Sequence, residues 1–374
     1  MNIALVDPVF QAKPAAEIAE RVALAPGART YTRVPPRIAG PLDERLAGQR
    51  QWFERQGEVT APEAAVYLFP EAKVFGSLVF ARDGSLVKES LINRGHETEF
   101  CDIRRHGADG FRFMAPLPEE NQIHVKKAVM LQQHWDTNYG HWIIEGLPRV
   151  AAVLGLPDIS DAVFLVSSTS REMADVFADS LACFGIRHQQ LMYIGDQVVN
   201  ADQLYYPAPL TVQPWIKSPL VVEVLENLSR RVTRSKDTSD FPKKIFISRP
   251  GSSRRPLRNQ SALRDFFVNR GYRNVVPAQM SFEEQVCAFS QATHVAGVLG
   301  AECANFAFSP RGIRFLGLAP DLMQDDFFWD LASLKGGAYT CLHGPAADPA
   351  LGMNAPFDID IELLGPLFAA FEAG

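Results

Sequence analysis

The stretch that most constrains the fold is THVAGVLGAECANFAF, residues 293–308. Residues 293–298 are small, apolar or β-branched, which predicts a buried strand. Gly300 and Ala301 then interrupt the pattern, and residues 302–308 have the composition of a short helix. A helix that begins at such a tight turn presents backbone N–H groups and the positive end of its dipole, which suits a phosphate or diphosphate. Small residues are also expected here if a helix only packs closely on a sheet, so both interpretations stay open.

An arginine-rich loop lies upstream of this stretch. The segment IFISR, residues 245–249, predicts a strand, and a loop rich in Pro, Gly and Ser follows it. Residues 230–258 contain ten Lys or Arg and two Asp, although the whole chain has a net charge of −6. Such an excess is also common on a solvated face. Because ligands of α/β sheets bind beyond the carboxyl ends of strands, and guanidinium groups bind phosphate oxygens in pairs, Arg249, Arg254 and Arg255 are candidate diphosphate ligands.

A third pattern, NYGHWIIEGLPRV at residues 138–150, predicts a helix with a polar cap at residues 136–138. His141 and Glu145 are four residues apart and therefore share one face, with Arg149 a turn further along. We expect the apolar side chains between them to be buried and this polar stripe to face a cleft or solvent. One interpretation is an imidazole or carboxylate that takes a proton from a hydroxyl group. The other is a helix-stabilising pair on a solvated face.

The rest of the chain predicts a mixed α/β fold with two domains. Strands are expected at residues 63–69, 74–81 and 86–91, with a hairpin turn at Asp83 and Gly84, so the N-terminal part carries additional β-strands. From residue 126 onward strands and helices alternate, which predicts parallel sheets. Four prolines in residues 205–219 mark the crossing between the domains. The predicted divisions are a first domain at 1–210, a second at 211–345, and a C-terminal helix within 346–374 that packs back on the first.

Composition excludes several classes of function. A net charge of −6 argues against general nucleic-acid binding. No apolar run approaches the roughly 18 residues that cross a bilayer, and the N-terminus does not resemble a signal peptide, so we expect membrane contact to be peripheral at most. The sequence leaves the oligomeric state open. The widely spaced cysteines form no CxxC pair, which predicts neither a disulfide framework nor a zinc site and indicates a cytoplasmic protein: Cys101, Cys183, Cys287, Cys303 and Cys341.

Three blocks in order along residues 138–318 resemble the signature blocks of glycosyltransferase family 61: NYGHWIIEGLPRV, ISRPGSSRRPLRNQSAL and SFEEQVCAFSQATHVAGVLGAECANFAFSPRG. The resemblance implies a GT-B architecture, in which two Rossmann-like domains face a cleft. It also implies inverting, metal-independent and cofactor-free transfer from a nucleotide-sugar donor to a glycan or glycoconjugate acceptor, in the assembly of bacterial polysaccharides such as capsule or lipopolysaccharide. The chain departs from the family at Leu299, where members often have His, and at Gln260, where they often have Glu.

The resemblance also implies roles for single residues. The arginines of the loop neutralise the donor diphosphate in place of a metal, and Glu302 is expected on ribose hydroxyls because its charge repels phosphate. The acceptor hydroxyl loses its proton to Glu145 with His141 orienting it, or to His141 itself, and we favour Glu145. The full set of expected donor-side residues is Arg249, Arg254, Arg255, Asn259, Gly300, Ala301, Glu302 and Asn305. Asn138 and Arg149 are expected to contact the acceptor or to support the base.

Two other classes of function remain open from the sequence. One is a different transfer enzyme on the same architecture, such as a phosphosugar epimerase or a lipid-linked sugar transferase. The other is a non-catalytic relative that binds a nucleotide sugar or polysaccharide as part of a complex, and Leu299 is the feature that favours it.

Overall fold

The computed structural model describes residues 6–25, 29–40, 57–91, 103–106, 110–113, 120–157, 159–212, 215–249, 251, 254–323 and 326–373. The chain divides into two compact units. Unit 1 comprises Met1–Arg29 and Ala61–Val221, and unit 2 comprises Thr30–Thr60 and Val222–Gly374. A segment from the N-terminal part of the chain therefore belongs with the C-terminal part.

The strands, in chain order, are β1 (Val6–Lys13), β2 (Glu20–Leu24), β3 (Thr30–Thr32), β4 (Arg37–Ala39), β5 (Glu58–Thr60), β6 (Ala65–Phe75), β7 (Leu78–Phe80), β8 (Leu86–Val87), β9 (Ile103–His106), β10 (Gly110–Phe113), β11 (Gln122–Met130), β12 (Val163–Ser167), β13 (Leu191–Ile194), β14 (Val198–Pro207), β15 (Thr211–Val212), β16 (Ile216–Lys217), β17 (Lys244–Ile247), β18 (Arg273–Val275), β19 (His294–Val298), β20 (Arg314–Pro320) and β21 (Ala338–Gly344).

The α-helices are α1 (Ala15–Ile18), α2 (Tyr139–His141), α3 (Val150–Val153), α4 (Arg171–Ala182), α5 (Pro219–Thr233), α6 (Gln260–Val268), α7 (Phe282–Phe289), α8 (Phe327–Leu334) and α9 (Ile361–Ala373). A π-helix, Trp142–Gly146, and a 3₁₀-helix, Leu147–Arg149, join α2 to α3. Further 3₁₀-helices lie at Lys88–Ser90, His188–Gln190, Pro277–Gln279, Ala301–Phe308 and Pro349–Asn354.

Unit 1 is built on one large mixed sheet. Its strand order is β13-β12-β11-β14-β6-β7-β8-β1-β10-β9. Strand β2 lies off this path and pairs antiparallel with β6. The four strands β13, β12, β11 and β14 run parallel, and β6 then pairs antiparallel with β14. The chain reverses direction in the sheet at β11, because β12 lies on one side of it and β14 on the other. The carboxyl end of β11 is therefore a topological switch point, where ligands of such sheets bind.

The predicted mixed α/β fold with parallel sheets is confirmed. The hairpin at Asp83 and Gly84 is also confirmed, since β7 and β8 pair antiparallel around it. Two separate strands were predicted at residues 63–69 and 74–81, and the predicted boundary between them is wrong. Pro70 and Glu71 do not end the first of them, because β6 stays in register with β14 from Val66 to Phe75.

Unit 2 contains a sheet whose paired strands are all parallel, in the order β18-β17-β19-β20-β21-β4. The five C-terminal strands thus follow the doubly wound order 2-1-3-4-5. The strand order reverses between β17 and β19, so a ligand crevice is expected where these two strands end. Strand β4, from the N-terminal part of the chain, extends the sheet beyond β21.

A buried ion pair fastens this N-terminal segment to unit 2. Arg33 Nε lies 2.7 Å from Asp330 Oδ1 in α8, and both side chains are fully enclosed. The Tyr31 hydroxyl donates to the same oxygen at 2.6 Å. The indole N–H of Trp329 donates to the carbonyl of Val34 at 2.6 Å. These contacts hold residues 31–34 against one helix.

The C-terminal helix α9 belongs to the core of unit 2. Leu364, Phe368 and Phe371 pack in one cluster with Phe246 of β17. The rings of Phe368 and Phe267 are 5.7 Å apart and edge-on. We expected this helix to pack on the first domain; instead its apolar face covers the sheet of its own unit.

Two further expectations concern covalent and membrane chemistry. Cys183, Cys287, Cys303 and Cys341 form no disulfide bond with one another, and Cys101 lies outside the described residues. In the described part of the chain, no helix is both long and apolar enough to cross a bilayer.

Candidate functional site

The helix that carries His141 and Glu145 begins as the sequence predicts. Asn138 is its N-cap, and the Asn138 side-chain oxygen accepts the backbone N–H of Gly140 at 2.9 Å and that of His141 at 3.5 Å. The helix then widens into the π-helix Trp142–Gly146, a feature frequent at functional sites. Because the cap occupies the Asn138 carbonyl oxygen, the predicted contact between Asn138 and an acceptor is limited to its amide nitrogen.

Gly146 makes the wide turn possible. A Cβ atom at this position would lie 2.6 Å from the Trp142 ring, so only glycine leaves room for the indole. The ring is fixed in turn, because its Nε1 donates to the Ser180 hydroxyl at 2.9 Å and its centroid lies 4.4 Å from that of Phe177. The π-helix is therefore built into the packing of unit 1.

His141 and Glu145 form a dyad of which only His141 reaches the surface. His141 Nδ1 lies 3.3 Å from Glu145 Oε2, and the same oxygen accepts the Gln133 side-chain amide at 3.2 Å. The Glu145 side chain is 0% exposed, whereas that of His141 is 22% exposed. Within the described residues, Glu145 Oε1 is buried and has no hydrogen-bond partner. The expectation that the whole polar stripe faces a cleft or solvent is wrong for Glu145, since this helix is buried on every side except at His141.

The loop between β11 and this helix surrounds the dyad. Trp135 has a left-handed backbone, with φ of 67°, and its ring centroid is 5.3 Å from that of His141. Asp136 is buried, and its Oδ2 accepts the backbone N–H of Gln133 at 3.2 Å. Burial raises the pKa of Asp136 to about 6, although the Ser167 hydroxyl, the Gln133 N–H and the Arg149 charge oppose the rise. The sequence pattern indicates no role for Trp135 or Gln133, and the signal it offers is their position soon after the parallel strand β11.

Arg149 holds this loop in place through hydrogen bonds to the backbone. Its guanidinium is buried and donates to the carbonyl oxygens of Met130, Leu131 and Pro207, so it ties together the ends of β11 and β14. Burial lowers the pKa of Arg149, while Asp136 and Tyr206 favour its charged form. The structure thus encloses Arg149 in protein, and of its two predicted roles it fits support of the loop rather than contact with an acceptor.

The second cluster lies at the switch point of the unit 2 sheet. Arg249 follows β17, and Gly300 follows β19. Arg249 Nε lies 3.0 Å from Glu302 Oε2, and a Cβ atom on Gly300 would lie 2.7 Å from Arg249 Nη1. A side chain at position 300 would therefore displace the guanidinium, which passes directly over the backbone of Gly300.

Arg249 has hydrogen-bonding capacity that its neighbours do not use. Its side chain is 11% exposed, and both Nε and Nη1 are buried. Neither nitrogen has a hydrogen-bond partner in the described part of the chain, because the pair with Glu302 is close in distance but poorly directed. A buried guanidinium with unused donors is an arrangement that an anion completes.

The arginine loop folds back onto the same strand end. Gln260 accepts the backbone N–H of Arg249 at 3.1 Å, so the residue that departs from the family pattern positions this arginine. Arg255 has a φ of 54°, and its Nε donates to the carbonyl of Leu299 at 3.0 Å. Arg254 is exposed.

Two residues predicted to contact the donor, and one at which the chain departs from the family pattern, have side chains that make other contacts. The Asn259 side chain donates to the Ile359 carbonyl at 2.7 Å and accepts the Ile359 N–H at 3.2 Å. Asn305 is fully buried and donates to Gln285 at 2.8 Å, so it supports the 3₁₀-helix that begins at Ala301. The Leu299 side chain is buried and packs against Gly317, where a Cβ atom would lie 2.5 Å from it.

These features define an α/β protein with a buried arginine that has unused donors at the switch point of one sheet and a His–Glu dyad at the switch point of another. The family model described as Glycosyltransferase 61 matches residues 139–316, a segment that holds both clusters. This match supports the identification of the protein as a family 61 glycosyltransferase, a class of enzymes that transfer sugars. Comparison with curated proteins gives no match. Over the described residues, no group of three or more His, Cys, Asp or Glu side chains is arranged to hold a metal ion.

Proposed function

We propose that the protein is an inverting glycosyltransferase that moves a sugar from a nucleotide-sugar donor to a hydroxyl group of a glycan or glycoconjugate. The observation that carries the proposal is the Arg249 guanidinium, buried over Gly300 with unused donors at the switch point of a doubly wound sheet.

The donor diphosphate fits this cluster by charge and by hydrogen bonding. Arg249 offers Nε and Nη1 to phosphate oxygens, and Gly300 allows the backbone to approach them closely. Arg254 and Arg255 come from the same loop and add positive charge. As the bond to the sugar breaks, negative charge develops on the diphosphate, and fixed guanidinium groups stabilise it without a metal ion. Glu302 neutralises Arg249 before the donor arrives and then turns to the ribose hydroxyls, because its carboxylate repels phosphate.

The dyad in unit 1 supplies the base. Glu145 is enclosed and His141 is the member that reaches the surface, so His141 accepts the proton and Glu145 orients it. This order reverses the one that the sequence favoured. The carboxylate on Nδ1 fixes the tautomer in which Nε2 is the acceptor, and it stabilises the imidazolium that forms. The acceptor oxygen attacks the anomeric carbon, its proton passes to Nε2, and the nucleoside diphosphate leaves with the electron pair of the broken bond.

The family match and the parallel strands present in both units support a GT-B organisation, with the donor on unit 2 and the acceptor on unit 1. The same family supports a role in the assembly of bacterial polysaccharide, such as capsule or lipopolysaccharide, by a cytoplasmic enzyme in peripheral contact with the membrane.

A thermal-shift series tests the donor site. The full chain is screened with UDP, GDP, CMP and ADP and with their sugar conjugates, in the presence and absence of EDTA. A nucleotide at 100 times its dissociation constant adds about 2.7 kcal/mol and raises the midpoint by a few degrees. We expect one nucleotide to give this shift in EDTA, Arg249→Ala to abolish it, and the exposed Arg264→Ala to retain it. A shift that survives Arg249→Ala, or none with any nucleotide, contradicts the proposal.

One observation favours a second candidate, a non-catalytic relative that binds nucleotide sugars. The position at which family members often have His is occupied here by the buried Leu299. That candidate expects nucleotide-sugar binding with no turnover, whereas an enzyme releases nucleotide in the presence of an acceptor.

A further inference from the structure

Gln133 carries a buried amide that contacts the Glu145 carboxylate. It lies in the loop after β11, the third residue beyond the end of the strand. Gln133 Nε2 donates to Glu145 Oε2 at 3.2 Å, and the same oxygen lies 3.3 Å from His141 Nδ1. One carboxylate oxygen therefore meets both the amide and the imidazole.

The other carboxylate oxygen of Glu145 does not fix the orientation of the group. Glu145 Oε1 is buried and, among the residues that the structure describes, has no hydrogen-bond partner. The terminal torsion of a glutamate is broad, so the aliphatic part of the side chain does not by itself set the plane of the carboxylate. The Gln133 amide and the His141 ring are then the groups that decide how the carboxylate is turned.

Gln133 is itself fixed to the end of the unit 1 sheet. Its backbone N–H donates to Asp136 Oδ2 at 3.2 Å, and the Asp136 N–H donates to the Gln133 carbonyl at 3.3 Å, which closes a short turn. The Ser167 hydroxyl, at the carboxyl end of β12, donates to the Asp136 carboxyl group. A chain of hydrogen bonds thus runs from β12 through Asp136 and Gln133 to Glu145.

We propose that Gln133 is a positioning residue that holds Glu145 Oε2 on His141 Nδ1, an inference that rests on the proposed function. A carboxylate on Nδ1 selects the tautomer with the proton on Nδ1 and leaves Nε2 as the acceptor. A carboxylate that turns away makes both tautomers accessible, and the one with its proton on Nε2 cannot take a proton from a hydroxyl group. Gln133 therefore acts through Glu145 and not on the substrate.

An amide suits this position better than an apolar or a cationic side chain. A buried carboxylate without donors costs free energy or takes up a proton. An amide N–H favours the charged form of the carboxylate, and it brings no charge of its own. A lysine or arginine at position 133 would form an ion pair with Glu145 and weaken the attraction between Glu145 and the imidazolium.

Nitrogen NMR of the full chain with isotope-labelled histidine rings reports the tautomer of His141 without any ligand, at a pH where the imidazole is neutral. His141→Ala identifies the signals by their loss. We expect the proton on Nδ1 in the wild-type protein, and signals of both tautomers in Gln133→Met, which removes the amide at nearly constant shape. Gln132→Met is the matched control and keeps the proton on Nδ1, because this buried neighbouring amide makes no hydrogen bond to Glu145 in the described part of the chain.

A second variant guards against misfolding of Gln133→Met. Gln133→Asn keeps an amide in the loop but draws it back by one methylene, so the amide nitrogen no longer reaches Oε2, and the same mixture of tautomers is expected. A His141 ring that keeps its proton on Nδ1 in both Gln133 variants overturns the inference. A ring that shows both tautomers in the wild-type protein overturns it as well.

Turnover separates this inference from the proposed function. The assay uses a hydroxyl acceptor and whichever conjugate of UDP, GDP, CMP or ADP raises the melting midpoint of the chain. Both Gln133 variants are expected to lower kcat at least about tenfold with unchanged donor affinity. Wild-type kcat in both variants overturns the positioning role. A wild-type chain that releases no nucleotide removes the proposed function, whereas the tautomers still decide whether Gln133 positions the dyad.

Discussion

Nδ1 of His141 lies 3.3 Å from Oε2 of Glu145, and of the two side chains only that of His141 is exposed. A carboxylate in such a position acts through its partner rather than on a substrate. This relationship supports our proposal that the imidazole takes the proton and the carboxylate orients the imidazole.

The first prediction separates these two roles. His141→Ala removes the base and is expected to lower kcat by about 10²–10⁴-fold, because that is the usual contribution of general base catalysis. Glu145→Gln is expected to lower kcat as well, since it withdraws the charge that stabilises the imidazolium. Donor affinity, measured by titration, should change in neither variant. The exposed His188→Ala serves as control, and a wild-type kcat in His141→Ala would contradict the assignment.

The second prediction concerns the glycine beneath Arg249. Gly300→Ala places a methyl group 2.7 Å from Nη1, so the guanidinium must move away from the strand end. We expect at least about a tenfold loss of donor affinity, equivalent to 1.4 kcal/mol, with the fold retained by circular dichroism. Gly365→Ala, where a Cβ atom meets no neighbour, is the matched control in the same unit. Unchanged donor affinity in Gly300→Ala would remove Arg249 from the donor site.

The sequence predicts the Arg249 cluster of unit 2 better than the His141–Glu145 dyad of unit 1. Strands β17 and β19, the turn at Gly300 and the arginine loop all follow from local patterns, because strand propensity and glycine turns are written in short segments. The directions of Asn259 and Asn305 do not follow, since Ile359 and Gln285 set them from distant positions in the chain. A residue type near a site does not by itself show where the side chain points.

The burial of Glu145 could not be predicted from the sequence, for a different reason. The spacing of His141 and Glu145 places both on one face, and an amphipathic helix would expose that face. Here Trp142, Ile143, Ile144 and Leu147 are all fully buried, so no face of the helix is wholly free. The pairing of Arg33 with Asp330 was equally invisible, because 297 residues separate them.

The third prediction follows from the raised pKa of Asp136. Its carboxyl titrates near 3.8 when unfolded and at about 6 when folded, so the folded state favours the protonated form. The resulting stabilisation is present below about pH 4 and is lost as the pH rises through 6, with a magnitude of about 3 kcal/mol. Asp136→Asn should remove this dependence. Urea unfolding at pH 5 and pH 7 measures it, and an equal pH dependence in both proteins would contradict the burial argument.

The fourth prediction concerns the ion pair that fastens residues 31–34 to unit 2. Asp330→Leu leaves the Arg33 guanidinium buried without its carboxylate and is expected to cost about 3–5 kcal/mol in the free energy of unfolding. The double variant Arg33→Met with Asp330→Leu should recover most of this loss, because no charge remains buried. Denaturant unfolding of the single and double variants measures the difference. Equal losses in both would show that the charges are not coupled.

We propose that this chain transfers sugar by a metal-independent reaction with inversion. Proton NMR of the full chain with its nucleotide-sugar donor and a hydroxyl acceptor in EDTA follows both the release of nucleotide and the anomeric configuration of the product. We expect a product of inverted configuration that Arg249→Ala and His141→Ala no longer form. A product of retained configuration, or a reaction that stops in EDTA and resumes with added divalent metal, would contradict it.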